Sequence, residues 1–581
     1  MLMNVWKFVH PYKVALFVAG FLMMIEIIAE LLQPLLMAKI INNGIQEQNL
    51  EIVMFWGAVM LGLSIICLVA GILNSFYASH LSQSFGYDVR KSLFQKVQSF
   101  SYSQFSNFGA GTILTRLTND IQQMQATIFM LMRIMLRAPI LVVGGLLMAF
   151  LVHPKLAFFL GVVVPILFIF LLYVMKKGSG MFQKVQRKLD TVNNVMDENL
   201  TGMKLIRAYE RAEHEGKRFN EANHQLKART LSVLRFMEIT MPSLVLIMNI
   251  AILFILWFGH DYIAVGNANV GEVVAVVNYA TRITSSLSIF SFIIMTLSRA
   301  NASASRLNEV LNTPVEMEDQ NGTDGPVDLK GELSFERVSF HYPNQRREAL
   351  KDITFHVKSG ETLAILGATG SGKTTIINLI PRLYDPVQGV VKVDGMNVKD
   401  YPQKELRQQI GMVPQVAMLF TGTIKENILW GDQNATDADI IEACQKAQIY
   451  ETIMDYSAGM DTLIGQKGVN LSGGQRQRLA MARALVRKPK ILLLDDSTSA
   501  LDLKTEERLL QALKEEKSTK IIVTQKISTA VHADTIILLE EGRKVAEGHH
   551  DDLCLTSPLY QKIVASQQEQ EGGIAIVESV K

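Results

Sequence analysis

The sequence predicts two parts of different fold class, an α-helical transmembrane domain of six helices followed by a water-soluble α/β domain. Two observations predict this division. Apolar residues make up 49% of the 581 residues and charged residues only 19%, against about 25% charged in ordinary soluble proteins. The long uncharged stretches lie within residues 1–300, whereas residues 326–550 alternate short apolar runs with helical stretches, a pattern typical of a sheet covered by helices.

Six segments are long and apolar enough to cross a bilayer, which requires about 20 mostly apolar helical residues. The predicted spans are residues 14–36, 52–77, 127–152, 156–175, 239–260 and 273–298. We therefore expect a transmembrane domain over 1–312, a linker over 313–330, the α/β domain over 331–566 and a polar tail over 567–581.

The connections between these spans predict the orientation of the chain. Three short connections, at 37–51, 152–155 and 261–272, hold two lysines and no arginine. The long connections at 78–126 and 176–238 are rich in both, and their periodicity predicts helices that extend the spans out of the membrane. Because positive residues favour the cytoplasm, we expect both termini, both long loops and the α/β domain there. The net charge of +2 and the lack of a basic stripe give no indication of a nucleic-acid partner.

The strongest motif reads GATGSGKT over residues 367–374, after the apolar run 361–366 and before a predicted helix that starts at Thr375. A strand, a glycine-rich loop and a helix in this order form a phosphate-binding loop. Its glycines, Gly367, Gly370 and Gly372, let backbone N–H groups surround phosphates at a helix N-terminus. Lys373 then supplies charge to the β- and γ-phosphates, and the Thr374 hydroxyl coordinates Mg²⁺. Thr375 is a further predicted nucleotide-binding residue.

A second motif reads LSGGQ over residues 471–475 and is followed by a helix. Sixteen residues after it, the apolar run Ile491–Leu494 ends in Asp495 and Asp496. A carboxylate at the end of such a strand can hold the Mg²⁺ of a phosphate-binding loop. We assign that role to Asp495.

With these motifs the chain resembles the ATP-binding cassette family. Val413-Pro-Gln415, the LSGGQ signature and Ser499-Ala-Leu-Asp502 match its cassette, and the six preceding helices are similar to its exporters, which fuse membrane and cassette parts. The resemblance implies that ATP and Mg²⁺ bind here, that adenine stacks on Tyr342, and that Gln415 also contacts the metal. Among its members the chain looks most like bacterial multidrug half-transporters of the cytoplasmic membrane that work as heterodimers.

The resemblance also implies how such a chain works. In the family two cassettes meet head to tail, so that each ATP lies between one chain's phosphate-binding loop and the other chain's signature. Ser472 and Gly474 would complete the site of a second, different half-transporter. Movement would reach the membrane helices through the loops near Phe105–Thr115 and Arg207–Glu215.

Two positions depart from the family pattern. After the Mg²⁺-binding aspartate the family has glutamate, which polarises the attacking water, and here it is Asp496, one methylene shorter. Where the family has a histidine against the γ-phosphate, this chain has Gln525, which cannot become cationic. Since a general base must come within hydrogen-bond reach, we expect these catalytic positions to bind ATP but cleave it weakly.

Ionisable residues occur within the predicted spans, where they are costly and usually functional or paired. Glu26 and Glu30 are four residues apart, as are Arg133 and Arg137, so that each pair lies on one helix face. Glu26 either contributes to a cavity for cationic substrates or pairs with the arginines of the third span. Both readings are open at the level of sequence.

The expected function is an ATP-hydrolysing exporter of small amphipathic or cationic drugs, embedded in the lipid bilayer. A lipid or peptide exporter is an alternative that the sequence does not separate from it. A regulatory membrane protein that binds ATP without pumping is a further one, and the intact signature speaks against it.

The orientation can be tested with single cysteines in a chain whose Cys67 is replaced. Cysteines at Gln46 and Asn267 should react with an impermeant thiol reagent on intact cells, because both lie in short outer connections. A cysteine at Lys217, in the second long loop, is the matched control and should stay unreacted. The reverse labelling pattern would overturn the orientation.

Overall fold

The structure is a computed structural model that describes residues 7–317, 328–343, 345 and 347–567, without the side chains of residues 291, 294, 295 and 298. Most of the predicted linker and all of the predicted tail after Gln567 lie outside the described residues. By contacts the chain divides into two compact units, Met1–Gln98 with Ala110–Thr313, and Ser99–Gly109 with Pro314–Lys581. A short piece of the first long loop therefore belongs to the second unit, and it overlaps the loop near Phe105–Thr115 that the resemblance implies in transmitting movement.

The first unit is entirely helical where it is described. Its helices are α1 (Lys13–Lys39), α2 (Leu50–Gln98), α4 (Ala110–Thr115), α5 (Ile121–Met130), α6 (Arg137–Val152), α7 (Pro154–Thr201), α8 (Met203–Ala208), α9 (Ala212–Glu238), α10 (Thr240–Ala264) and α11 (Val270–Asn312), while α3 (Tyr102–Phe108) lies in the second unit. Six helical stretches among the described residues are long and apolar enough to cross a membrane. This confirms the predicted fold class of the N-terminal part.

The membrane helices are much longer than a bilayer requires. The 49 residues of α2 correspond to roughly 74 Å of helix, against about 30 Å of hydrocarbon, and α7 has 48 residues. Their outer surfaces are apolar and exposed, as with Phe76, Leu151 and Trp257. Such side chains fit contact with lipid, and the remaining length continues each span into the long loops.

The third predicted span is interrupted where the sequence predicts one continuous helix. Between α4 and α6 the backbone widens twice into π-helix, over Arg116–Asp120 and over Leu131–Met135. Such turns insert a residue into the helix and are frequent at functional sites. The second of them contains Arg133.

A buried carboxylate joins the first π-helix to α11. Asp120 is 3% exposed and accepts hydrogen bonds from Ser303 Oγ at 2.9 Å and from Arg306 Nε at 2.8 Å and Nη2 at 2.5 Å. Arg116 of the same turn pairs with Glu309 at 2.8 Å. These contacts hold the end of the first long connection, which leads into the third span, against α11 within the first unit.

The second unit is built on β-sheets, as the alternating pattern predicts. Its strands are β1 (Leu333–Phe340), β2 (Leu350–Val357), β3 (Thr362–Gly367), β4 (Gln388–Val393), β5 (Met396–Asn397), β6 (Ile410–Val413), β7 (Gly422–Thr423), β8 (Leu463–Ile464), β9 (Ile491–Asp495), β10 (Thr519–Val523), β11 (Thr535–Glu540) and β12 (Arg543–Gly548). The larger sheet has the order β12-β11-β3-β10-β9-β6, the second has the order β2-β1-β4-β5, and β7 pairs with β8.

Helices of the second unit cover the larger sheet. They are α12 (Lys373–Leu379), α13 (Gln403–Gln408), α14 (Ile424–Leu429), α15 (Asp437–Lys446), α16 (Tyr450–Met454), α17 (Gly473–Leu485), α18 (Leu503–Lys514), α19 (Ile527–Ala530), α20 (His550–Thr556) and a last helix over 558–567. Strands β6, β9, β10, β3 and β11 are parallel. Their carboxyl ends therefore meet at one edge, where ligands bind in open α/β sheets.

Small shifts separate the predicted elements from the observed ones. The strand before the glycine-rich loop runs from Thr362 to Gly367, one residue later than predicted, and α12 begins at Lys373 rather than at Thr375. The last helix reaches Gln567, the first residue of the predicted tail. Helix ends are the least predictable part of such assignments because local caps decide them.

The Asp120 cluster predicts an unequal cost for its two charged partners. Arg306→Ala leaves Asp120, whose side chain is 4% exposed, with only Ser303, whereas Asp120→Ala leaves Arg306, whose side chain is 47% exposed and can reach water. A buried unpaired group costs about 1–3 kcal/mol or more, so Arg306→Ala should be the more destabilising of the two.

Heating the detergent-solubilised protein and measuring the fraction that remains soluble gives the two midpoints. Equal midpoints for Arg306→Ala and Asp120→Ala, or the reverse order, would contradict the assignment of Asp120 as the buried member.

Candidate functional site

The glycine-rich loop folds as a cradle between β3 and α12. Gly372 has φ = +102°, and a Cβ there would lie 2.5 Å from the Ala349 carbonyl oxygen. At Gly367 a Cβ would lie 2.3 Å from the Leu539 carbonyl oxygen. Only glycine combines that backbone conformation with that closeness, and the loop therefore turns tightly enough to direct its N–H groups inward.

Lys373 and Thr374 extend from the start of α12 into this cradle. The Lys373 ammonium donates to the carbonyl oxygens of Gly367 at 2.7 Å and Ala368 at 2.8 Å. Thr374 Oγ1 donates to Asp495 Oδ1 at 3.0 Å. The hydroxyl and the carboxylate predicted to share Mg²⁺ are thus adjacent, although 121 residues separate them in the chain.

Asp496 follows β9 with a left-handed backbone, φ = +46°, a conformation that aspartate tolerates better than most residues. Its backbone N–H donates to the Val523 carbonyl of β10 at 2.9 Å. Its carboxylate Oδ2 accepts from Gln415 Nε2 at 3.3 Å. The short side chain at this position is therefore held between β9, β10 and the loop after β6.

These groups surround one open cavity of about 350 Å³ at the carboxyl edge of the larger sheet. Its walls include the predicted Tyr342, Gly370, Gly372, Lys373, Thr374, Thr375, Gln415, Asp495, Asp496 and Gln525, together with Gln345, Arg347, Glu348, Ala349, Thr369 and Val523. Tyr342 OH lies 3.0 Å from Thr375 Oγ1, and its ring is edge-on to Tyr384. The sequence did not indicate Gln345, Arg347 or Glu348, because no motif marks the loop between β1 and β2.

The electrostatics of the cavity fit a phosphate with a divalent cation. Burial raises the pKa of Asp495 and of Asp496, and the charge of Asp496 adds to the rise at Asp495. Burial likewise lowers the pKa of the Lys373 ammonium, against the attraction of both aspartates. A cation between the carboxylates and an anion at the ammonium would each relieve this desolvation. The donor set of hydroxyl and carboxylate oxygen is the one Mg²⁺ prefers.

A buried hydroxyl in the cradle points to the same ligand. Ser371 is 4% exposed, and its Oγ has no hydrogen-bond partner. Buried polar groups without a partner are rare in native proteins. A bound nucleotide phosphate or its hydration would supply the missing partner, so that the loop residues fit Mg²⁺ with a phosphate ligand.

The signature motif forms the start of α17 and lies apart from this cavity. Ser472 is the N-cap of α17, with its Oγ accepting from Gln475 N at 3.2 Å and Gln475 Oε1 accepting from Ser472 N at 2.8 Å. At Gly474 a Cβ would lie 3.0 Å from the Ala500 carbonyl oxygen. Neither Ser472 nor Gly474 lines the cavity around the glycine-rich loop.

Comparison with known proteins decides the family. The family model described as "ABC transporter transmembrane region" matches residues 16–287, and the family model described as "ABC transporter" matches residues 350–499. The chain is 53% identical over 566 residues to "Uncharacterized ABC transporter ATP-binding protein YfiB" of Bacillus subtilis (strain 168), covering 97% of this chain and 98% of the relative. The chain belongs to the ABC transporter family.

Two further relatives cover the chain equally well. "Uncharacterized ABC transporter ATP-binding protein Rv1273c" of Mycobacterium tuberculosis (strain ATCC 25618 / H37Rv) is 34% identical over 96% of this chain and 97% of the relative. "Putative multidrug export ATP-binding/permease protein YgaD" of Bacillus subtilis (strain 168) is 31% identical over 97% and 98%. The fusion of membrane and ATP-binding domains makes this ABC transporter an exporter that couples the use of ATP to transport.

The cassette contains a residue near the Gln525 position that sequence reasoning placed in the tail. Gln567 Nε2 donates to the Gln525 carbonyl oxygen at 2.7 Å, and its Oε1 accepts from Ile527 N at 2.8 Å. Beside it, Lys526 Nζ pairs with the buried Glu506 at 2.6 Å. The loop after β10 is therefore fixed from two sides, and only the pattern of contacts reveals Gln567.

In the membrane unit, the structure places Glu26 in ion pairs. Its carboxylate lies 2.5 Å from Arg137 Nη1 and 3.5 Å from Arg133 Nη1. Glu30 pairs with Arg137 at 2.6 Å and with Arg282 at 3.0 Å. The sequence left two interpretations open for Glu26, and this geometry agrees with the one in which Glu26 pairs with the arginines of the third span. Arg282 of α11 also takes part in the cluster through Glu30. The sequence did not indicate that contact.

Lys373→Ala is predicted to weaken nucleotide binding to this chain by about tenfold or more, since a hydrogen bond to a charged group is worth about 1.5–3 kcal/mol. Photolabelling with an azido-ATP analogue at several concentrations measures the effect. Lys358→Ala removes a lysine that is 76% exposed in the same cassette and should leave labelling unchanged. Undiminished labelling of Lys373→Ala would refute the assignment.

Proposed function

We propose that this chain is half of a heterodimeric exporter that moves small amphipathic compounds, including drugs, outward across the bacterial cytoplasmic membrane. Its own ATP site would bind Mg²⁺ and ATP but hydrolyse weakly. Its signature motif would complete the active site of a different half-transporter. Both termini and the cassette would lie in the cytoplasm.

The observation that carries this proposal is the pair of residues at the back of the ATP cavity. Asp496 and Gln525 line it together with Lys373 and Asp495, so that the binding groups are complete while the catalytic positions carry substitutions. Asp496 is one methylene shorter than the glutamate of the family pattern, and a displacement of about 1 Å at a catalytic group can cost 10²-fold in rate. Gln525 can donate a hydrogen bond but carries no positive charge.

The signature supports a role in the partner's site. Ser472 and Gln475 form a reciprocal capping box, which fixes the helix N-terminus with its unpaired N–H groups directed outward. These groups can close over a γ-phosphate held by the other chain. A chain whose only role was to sense ATP would have no use for this second half-site.

The proposed class of substrate rests on a relative and on the type of membrane domain. The name of YgaD describes it as a putative multidrug export protein, and the membrane helices form a helical domain of the exporter type. A lipid or peptide exporter stays as the alternative. The cationic substrates suggested by Glu26 have no support from the geometry, because two arginines already neutralise that carboxylate.

The division of labour predicts a ranking of two variants in the purified complex. Asp496→Ala should lower ATPase activity by only a modest factor, because the base at this site is already too short to reach its water. Ser472→Arg should lower it by orders of magnitude, because a bulky cation in the signature prevents closure over the partner's ATP. Abolished activity in Asp496→Ala with retained activity in Ser472→Arg would refute the proposal.

A rescue experiment separates the heterodimer from a homodimer. In the Ser472→Arg background the remaining ATPase is that of this chain's own site, so Asp496→Glu with Gln525→His should raise it by about tenfold or more. In a homodimer Ser472→Arg disables both sites, and the same double change would restore nothing. As the control, Asp496→Glu and Gln525→His are introduced into a chain that carries Lys373→Ala. There they should have no effect on ATPase activity, whether the exporter is a heterodimer or a homodimer.

A further inference from the structure

Three arginines and two glutamates meet between the helices of the membrane unit. Glu26 and Glu30 belong to α1, Arg133 to the π-helical turn Leu131–Met135, Arg137 to α6 and Arg282 to α11. All five lie within predicted spans, where a charged side chain is costly unless it is paired. Their pairing can therefore be compared charge by charge.

The two carboxylates neutralise two of the three guanidinium groups well. Arg137 bridges Glu26 and Glu30 at 2.5 and 2.6 Å, and Arg282 pairs with Glu30 at 3.0 Å and donates to Gln33 Oε1 at 2.8 Å. Arg133 has the weakest contacts, 3.5 Å to Glu26 and 3.2 Å to the Gly71 carbonyl oxygen. Three positive and two negative groups leave one positive charge uncompensated, and the geometry places it at Arg133.

The excess positive charge faces a cavity. Arg133, Arg137 and Arg282 line a cavity of about 320 Å³ together with Glu30, and no other charged side chain lines it among the described residues. The three arginine side chains are 25–27% exposed, whereas that of Glu26 is 8% exposed and lies outside the lining. The wall that a ligand meets therefore carries three guanidinium groups and one carboxylate.

The rest of the wall is suited to an amphipathic molecule. Ile134, Leu141 and Ile289 supply apolar surface, and Thr281, Ser285 and Ser286 supply hydroxyl groups. A guanidinium presents its N–H groups in a planar fork that matches carboxylate and phosphate oxygens. In a region of low dielectric constant the attraction for an anion is much stronger than it is in water.

We propose that this arginine cavity, lined by Arg133, Arg137 and Arg282, binds the anionic headgroup of an amphipathic substrate. The headgroup is a carboxylate, sulfonate or phosphate, and the apolar part lies against the isoleucine and leucine side chains. The proposal rests on the export function proposed above and names its substrate class. It predicts that the protein discriminates against amphipathic cations.

The test uses two photoreactive probes that differ only in headgroup, a diazirine-bearing dodecanoate and the same chain ending in trimethylammonium. They are applied without ATP to the purified full-length protein, with the partner chain it retains, in phosphatidylcholine nanodiscs. The dodecanoate should label peptides of α6 and α11 at about tenfold lower concentration than the cation, a ratio that corresponds to about 1.4 kcal/mol. Equal labelling by both probes would overturn the proposal.

Arg133→Gln is the informative variant, because it removes the most weakly paired guanidinium while Glu26 keeps Arg137. Dodecanoate labelling should weaken about tenfold with the thermal midpoint unchanged, and labelling by the cation should weaken little. Arg235→Gln, the same change at an exposed residue of α9, should alter neither. A lowered midpoint with unchanged headgroup preference would show that Arg133 serves only for packing.

Two further measurements separate the sources of the anion and the two proposals. If phosphatidylglycerol added to the nanodiscs competes with the probe in an Arg133-dependent manner, the headgroup is that of a lipid, and without competition it is that of a free amphipathic anion.

ATP-driven probe uptake by inside-out vesicles tests export itself. Uptake without headgroup preference would overturn the arginine cavity alone, and anion-selective labelling without any uptake would overturn the export function alone.

Discussion

The hydrocarbon interior of the membrane imposes the constraint on which the first unit depends, because every polar group placed there needs a partner within the protein. Continuous helices satisfy the backbone, and they satisfy it equally well beyond the membrane, which is why α2 and α7 run for 49 and 48 residues. Charged side chains meet the same demand only by forming ion pairs with one another. Glu26 and Glu30 have three arginines from two other spans within pairing distance.

The same constraint explains why the third span departs from regular helix at that point. The π-helical turn Leu131–Met135 adds a residue to the turn that contains Arg133. It changes the direction of Arg133 relative to Arg137, which follows the turn; in a regular helix the two would lie on one face. One arginine then reaches both carboxylates, and the other makes only long contacts. A local change of backbone thus separates the arginine that bridges both carboxylates from the one that is paired more weakly, although both line the cavity.

Sequence alone predicted the structural features that are formed by contiguous residues, and it missed the contacts between residues that lie far apart in the chain. The glycine-rich loop, its strand and its helix are contiguous, so residues 361–380 predicted the cradle almost to the residue. The six spans followed from length and hydropathy for the same reason. By contrast, Arg282 joins Glu30 across 252 positions of the chain, as their numbers show, and Gln567 reaches Gln525 from 42 residues away. No periodicity or motif marks such pairs, because tertiary packing brings them together.

Hydrogen bonds connect the signature helix of the cassette with the loop at the ATP cavity. Gln477 of the signature helix donates to Ser499 Oγ at 3.4 Å and accepts from Ala500 N at 3.2 Å. Ser499 Oγ in turn donates to the Asp496 carbonyl oxygen at 2.9 Å. The loop that carries Asp496 is therefore bonded directly to the helix that carries Ser472.

Through these bonds, the position of the loop after β9 influences the position of the signature helix. That loop position depends on the phosphate cradle, since Asp495 accepts from Thr374 and Asp496 accepts from Gln415. Nucleotide bound at this site would order the loop, and with it the signature helix, whether or not the nucleotide is cleaved. Aspartate at residue 496 is sufficient for each of these bonds, because they use its backbone carbonyl and its carboxylate. Under the function proposed above, binding without rapid cleavage would therefore be sufficient for the structural role of this site.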